Sequence, residues 1–356
     1  MKADAYGHGA VPVSRALADL GAEYLAVSNL EEAVQIRRGE VRLPILILGY
    51  TPAEYAANMI FLDITQEVHS LEYARELNEA LAGTNYILNV HLKLDTGMTR
   101  IGFFAYDNER TLDELRQVAQ LPHLHIEGVF MHFCVADSRA EADVSFTKLQ
   151  YKRFMDMLSA MAGVGIRPEI RHCCNSGATI LYPEFALDMV RPGIITYGNA
   201  PSDELEGALS LRPMMSLHSM IAQVRTVPAG TDISYGRLYR TKEETRVAVL
   251  PIGYADGLSR LLTGKASFYL QGHQVPVIGR ICMDMCMIDV SNVPEAKPGD
   301  VVTIFGYDDD GTLLPCERLA RAQGTINYEL LCQISKRIPR ICHRGAETSQ
   351  ILQYIV

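Results

Sequence analysis

Up to about residue 200, short apolar runs alternate with helical stretches, and this alternation limits the fold more than any other feature of the chain. The runs are YLAVSNL (24–30), PILILGY (44–50), FLDITQ (61–66), YILNVHLKLDTGM (86–98), IEGVFMHF (126–133), EIRHCCNS (169–176) and MVRPGIITYG (189–198). The clearest helical stretch is DVSFTKLQYKRFMDMLSAMAG (143–163), where Phe154, Met157, Leu158 and Met161 share one face. Strands separated by helices predict βα units and a parallel sheet. Several runs are apolar on every residue, as expected where both faces of a sheet are covered. Seven runs plus a stub at residues 1–4 make eight. The fold class predicted is therefore α/β: a TIM-type (β/α)8 barrel with most of strand one missing. After about residue 205 strands follow one another with turns between, at 217–227, 245–257, 266–281, 286–290 and 300–307. Helix returns only near 316–323 and 327–338. This predicts a barrel domain at 1–205 and a mostly-β C-terminal domain at 206–356.

Composition narrows the function. Of 356 residues 48% are hydrophobic and 21% charged, an ordinary globular balance, and the net charge is -9. An acidic chain without a Lys/Arg cluster argues against nucleic-acid binding. No apolar run is long enough to span a bilayer, and the first residues do not read as a signal peptide. The eight cysteines fit no paired zinc pattern and read as reduced thiols of a cytoplasmic enzyme.

In a barrel, reactive groups collect at the C-terminal ends of the strands. There this chain carries Lys2, then Lys93 with Asp95 and Arg100, then His132, then His172, Asn175 and Ser176, and last Arg191, Gly193 and Ile194. No metal cage of carboxylates and histidines is apparent. A lysine, two arginines, histidines, a hydroxyl and a glycine-bearing turn suit a phosphorylated cofactor held by a Schiff-base lysine.

The motifs KADAYGHG (2–9), KLDTGMTRIG (93–102), MHF (131–133), HCCNSGA (172–178), VRPGI (190–194), ISYG (233–236), PIGYADG (251–257), GRICMDM (279–285) and TINYE (325–329) resemble, in order and spacing, those of the alanine racemase family. The resemblance runs from residue 1 to about 345. It implies a homodimeric pyridoxal 5'-phosphate enzyme that pairs a barrel with a β domain. It also implies interconversion of L- and D-alanine by a two-base mechanism, supplying D-alanine for peptidoglycan.

The resemblance also implies roles. Lys2 matches the lysine that forms the Schiff base and acts as base on the D-isomer face. Tyr235, supplied by the partner subunit, matches the base on the L face. A free phenol has a pKa of about 10, so this one needs a lowered value. His132 matches its assistant. Arg191 faces the pyridine nitrogen. An arginine only donates, so that nitrogen stays unprotonated. His172 matches the residue orienting Arg191. Arg100 contacts the substrate carboxylate, and Lys93 matches a lysine carbamylated in many members. Tyr6, Ser176, Gly193, Ile194 and Tyr328 match the phosphate-binding set. Met283 of the partner subunit gives a backbone contact to the substrate carboxylate, and Tyr254 with Tyr328 lines the entry.

Alternatives stay open at this stage. Serine racemases of the vancomycin-resistance type share ILILGYTP (45–52) and DVSFTKLQYKRF (143–154), but often carry asparagine where this chain has Tyr328, so alanine is preferred to serine. Pyridoxal-dependent decarboxylases of basic amino acids share the barrel but lack ISYG and place a carboxylate at the ring nitrogen. A cofactor-binding barrel without activity and a purely structural barrel are the remaining readings. Family members carry further residues before the lysine. The expectation is therefore a truncated start and a barrel lacking a stave, with whatever precedes Met1 undefined; a barrel inactive as written is the alternative to an active racemase.

Overall fold

The computed structural model of the protein describes residues 1–106, 108–345 and 347–354. The chain divides into two compact units: Met1–Ala5 with Ala10–Leu211, and Tyr6–Gly9 with Arg212–Val356.

The first unit is built on seven strands: β1 (Leu25–Val27), β2 (Ile45–Ile47), β3 (Ile64–Val68), β4 (Leu88–Asp95), β5 (Phe103–Phe104), β6 (Leu124–Phe130) and β7 (Ile170–His172). They pair in parallel in the order β1-β2-β3-β4-β6-β7, with β5 on β4, and form a half-barrel. Strand alternation sorts the residues of β4. Leu88, Val90, Leu92 and Leu94 join the core with Leu77, Leu115, Phe154, Met157 and Met161 of the covering helices. His91, Lys93 and Asp95 therefore point to the opposite, polar face. Helices restart after strands through side-chain caps. Asn29 accepts from Glu32 N, Ser70 from Tyr73 N and Asn175 from Ala178 N.

Two expected staves do not form. Lys2–Tyr6 is not the stub of a strand but a left-handed turn, with φ of 49°, 56°, 56° and 53° at Ala3, Asp4, Ala5 and Tyr6. Such a run costs roughly 1–2 kcal/mol per residue. Side-chain clamps hold it. Asp4 Oδ1 accepts from Ala10 N at 2.7 Å and from Gln35 Nε2 at 3.3 Å, and Glu32 Oε1 accepts from Ala3 N at 2.6 Å. The run 189–198 also fails as a strand. It makes one bridge, Met189 to His172, and then a 3-10 turn at Ile194–Tyr197. Pro192 lacks the N–H a ladder needs.

In the second unit, antiparallel strands line up as Leu313–Leu314, Val301–Tyr307, Ser267–Leu270, His273–Ile278, Cys286–Asp289, Thr245–Leu250 and Gln223–Val227, with Leu217–Met220 also on Val301–Tyr307. The expected strand 266–281 is a hairpin turning at Gln271 and Gly272, and 217–227 is broken between Met220 and Gln223. Helices cover Cys316–Gln323 and Asn327–Cys332. A terminal hairpin, Arg340–Arg344 with Glu347–Leu352, was not expected from the sequence.

Candidate active site

The polar face of the half-barrel is organised around two cations and a phenyl ring. Phe130, at the end of β6, is buried and carries Lys93 Nζ 4.6 Å and the Arg191 guanidinium 5.3 Å from its ring centre. It also stacks on His172 at 4.9 Å. Arg191 donates from Nη2 to the carbonyls of Met131 (2.8 Å) and Cys173 (3.1 Å), and its Nη1 meets His172 Nδ1 at 2.7 Å.

That last contact sets a direction. The guanidinium only donates, so His172 Nδ1 accepts and its Nε2 carries the proton. His172 Nε2 donates to His91 Nδ1 at 2.8 Å, and His91 Nε2 then donates to Glu127 Oε2 at 3.0 Å. Tyr24 and Thr65 hydroxyls also donate to Glu127, at 3.0 and 3.2 Å. Burial holds both histidines below the ordinary imidazole range, so both are neutral. The hydrogen bond from His91 holds Glu127 below the usual carboxylate range. A four-group chain thus runs from a carboxylate to the arginine with every proton assigned.

Nearby charges explain the remaining shifts. Burial, then Arg191 and Arg100, lowers the Lys93 ammonium to about 7. Burial and the same cations, with Lys93 and Lys2, hold His132 well below its usual value. Burial brings Arg191 down to about 10, so it remains charged at neutrality. Asp95 does not pair with these cations. It accepts from the turn amides of Gly97 (2.9 Å) and Thr99 (3.1 Å). Ser176 Oγ accepts from Gly193 N at 2.8 Å.

Within the second unit, the rings of Tyr6 and Tyr328 lie 5.8 Å apart, and burial raises the Tyr6 phenol to about 12. Gly7 has φ +81°, and a Cβ there would stand 2.3 Å from Leu331 O, so only glycine fits. Tyr235 opens a 3-10 turn rather than extending a strand, between Ser234 at φ 64° and Gly236 at φ 73°. Ser234 Oγ pins that turn to Arg280 O at 2.7 Å. Tyr235 is 70% exposed, Met283 53% and Tyr254 42%. Tyr254 N and Ala255 N donate to the carbonyls of Cys282 and Met283, each at 3.0 Å, across a gap that Gly253 leaves open.

Residues 1–201 match the family "Alanine racemase, N-terminal domain", and residues 214–342 match "Alanine racemase, C-terminal domain". The chain belongs to the alanine racemase family. An alanine racemase of Desulfovibrio desulfuricans is 47% identical, over 96% of this chain and 89% of its own length. Among solved structures, alanine racemase of Clostridium difficile 630 superposes with a TM-score of 0.92 at 40% identity, covering 100% of this chain and 91% of its own. The Bacillus anthracis alanine racemase with bound L-Ala-P gives 0.92 at 35% identity, covering 99% and 89%. Among the described residues there is no cluster of His, Cys, Asp and Glu able to hold a metal, and no helix is long and apolar enough to cross a membrane.

The sequence had singled out His172 and Arg191 but not the groups hydrogen-bonded behind them. His91, Glu127, Tyr24 and Thr65 were missed. Alternation along NVHLKLD was a usable signal for His91, since it shares a face with Lys93. Glu127 carried none, because a register shift between Val90 and His91 is what brings it round.

Proposed function

We propose that this chain interconverts L- and D-alanine with pyridoxal 5'-phosphate, as a cytoplasmic homodimer supplying D-alanine. The barrel domain (1–205) would hold the cofactor, and the β domain (206–356) would supply Tyr235 and Met283 across the interface. Eight free cysteines suit a reducing compartment.

The donor set fits the cofactor. Arg191 keeps its Nε–H and one Nη1–H beyond the bonds above, which suits an acceptor ring nitrogen, and Ser176 with Ile194 offers donors to a phosphate. Lys2 Nζ would bind the aldehyde carbon, and Tyr6 and Tyr328 would add phenolic donors. When bound, the cofactor supplies a conjugated ring that withdraws electrons from the substrate and acidifies its Cα–H.

The observation that carries this reading is the Glu127–His91–His172–Arg191 chain. It presents a charged, donor-only group where the ring nitrogen would sit, so that nitrogen gains no proton. Arg191 would thereby leave the ring a weaker sink for charge, which would favour immediate return of a proton to Cα over transfer of the amine. Lys2 Nζ takes or returns the proton on the D face. Tyr235 Oη of the partner subunit does so on the L face. His132, held neutral, can exchange a proton with that phenol. Arg100 and the Met283 backbone of the partner subunit orient the substrate carboxylate, and Lys93 in carbamylated form would hold Arg100. Tyr254 and Tyr328 narrow the entry. The bulk of the Tyr328 ring beside Tyr6 favours alanine over serine.

The test is a visible spectrum of the purified chain with pyridoxal 5'-phosphate, before and after borohydride, with turnover of both alanine isomers. The expected result is a band that borohydride fixes and that Lys2→Ala lacks, with racemisation of alanine exceeding that of serine. A fixed band without turnover would leave a cofactor-binding barrel.

A further inference from the structure

One buried carboxylate near this site has no task yet. Glu67 stands near the end of β3 on the polar face, in register with His91 of β4. It is fully buried. Its Oε1 accepts from His69 Nδ1 at 2.9 Å, and its Oε2 is buried with no hydrogen-bond partner. The pair is boxed by aromatic rings. His69 stacks on Tyr73 at 4.9 Å, and Tyr50 lies 5.1 Å from Tyr73 and 6.3 Å from His69. A carboxylate oxygen removed from water without a donor is costly, and a neighbouring cation is what relieves it.

Lys93 is that neighbour. It lies two residues beyond His91 on the same face of the adjacent strand, is itself buried, and forms no ion pair among the described residues. The groups acting on its amine are few. Burial first, then Arg191 and Arg100, drives the proton off, while Glu67 and Asp95 favour keeping it. The neutral imidazoles of His91, His132 and His172 add no net charge. Asp95 is already committed to the amides of Gly97 and Thr99. Glu67 is the carboxylate with an oxygen to spare, and the side chains facing it are His69 and Tyr73.

We propose that Glu67 is a positioning residue for Lys93, keeping the Lys93 amine protonated and so limiting its carbamylation by carbon dioxide. This rests on the placement of Lys93 in the active site proposed above. In carbamylation the Nζ lone pair forms a bond to the carbon of CO2. One C=O electron pair moves onto oxygen, and the nitrogen releases a proton to solvent, giving R–NH–COO⁻ and H⁺. Only the neutral amine reacts, and the product is an anion. A fixed carboxylate opposes both, so the two effects add. Occupancy of the carbamate then depends on carbon dioxide and pH through Glu67.

The experiment uses the full chain with pyridoxal 5'-phosphate in ¹³C-bicarbonate, following the carbamate resonance by NMR from neutral to alkaline pH, with Lys93→Ala identifying the signal. Glu67→Gln keeps the shape and a hydrogen bond to His69 but removes the charge. It should carry more carbamate at each pH, with the midpoint lower by about one pH unit, a tenfold change in equilibrium. Glu67→Asp, which keeps the charge, should stay near the parent. If Glu67→Gln does not fold, His69→Asn tests the same coupling in the other direction, since it frees Glu67 to act on Lys93 and should raise the midpoint. Equal midpoints in parent and charge-altered variants, or no Lys93-dependent signal in any of them, overturns the proposal. The visible cofactor band is read on the same samples. A lost band with a shifted midpoint rejects the racemase reading and leaves this one standing, and an intact band with no shift does the reverse.

Discussion

The two units expose their functional candidates in opposite ways. In the first unit Lys2 and Arg100 are exposed, but Lys93, His91 and His172 are buried on the polar face of the sheet, and each has an assigned neighbour or a shifted titration. In the second, Tyr235, Met283 and Tyr254 stand out in water, Tyr235 on a turn that Ser234 enters at a φ of 64°. Burial tunes charge, because low dielectric strengthens every pairing and every mismatch. Exposure does not, so a side chain presented on a strained turn gains its chemistry only when something covers it. On the proposal above, that cover is a second copy of the chain.

The contrast can be broken in several places. The largest effect should come from Lys2→Ala, which removes both the cofactor linkage and one base. Turnover should fall to background, and the borohydride-fixable band should vanish. Tyr235→Phe should lower turnover about 10²–10⁴-fold, the usual worth of a positioned acid–base group, yet leave the band intact. Equal loss of the band would mean that Tyr235 acts on the cofactor instead. Such a split would separate the roles of the exposed and buried sets.

The buried chain allows a sharper test. Glu127→Leu leaves His91 Nε2–H without an acceptor, costing about 1–3 kcal/mol in denaturant titration. It also releases the tautomers that orient Arg191, so turnover should drop while the KM for alanine changes little. Gly7→Ala in the second unit meets Leu331 O and a φ of +81°. It should destabilise by at least about 1 kcal/mol, seen as a lower Tm.

A last test concerns pH. Lys93 is lowered from 10.5 to about 7 in the folded protein. Between those values the unfolded chain binds the proton that the folded chain has shed, so stability rises with pH across that window. Lys93→Met should flatten this slope when Tm is followed against pH in carbon-dioxide-free buffer. An unchanged slope would show that the Lys93 amine titrates normally.

Much of this was legible beforehand because it is local. Alternation of apolar runs and helices announced the parallel sheet, and nine ordered motifs announced the family. The failures were local too. MVRPGIITYG reads as a strand by composition, but Pro192 cannot join a ladder. KADAY reads as a strand end, but Asp4 and Glu32 clamp it left-handed.

By itself, then, the sequence determined the class of fold, the family and the strands that carry Lys93 and His172. Only the tertiary structure decided which proton sits on which nitrogen. It also decided that Glu127 reaches His91, and that Glu67 keeps a buried oxygen without a hydrogen bond among the described residues. The reason is physical. Strand periodicity is written in neighbouring residues, whereas a hydrogen-bond chain joins Tyr24, Thr65, His91, Glu127, His172 and Arg191 through register, a bulge and burial, none of which exists before the sheet closes on its core.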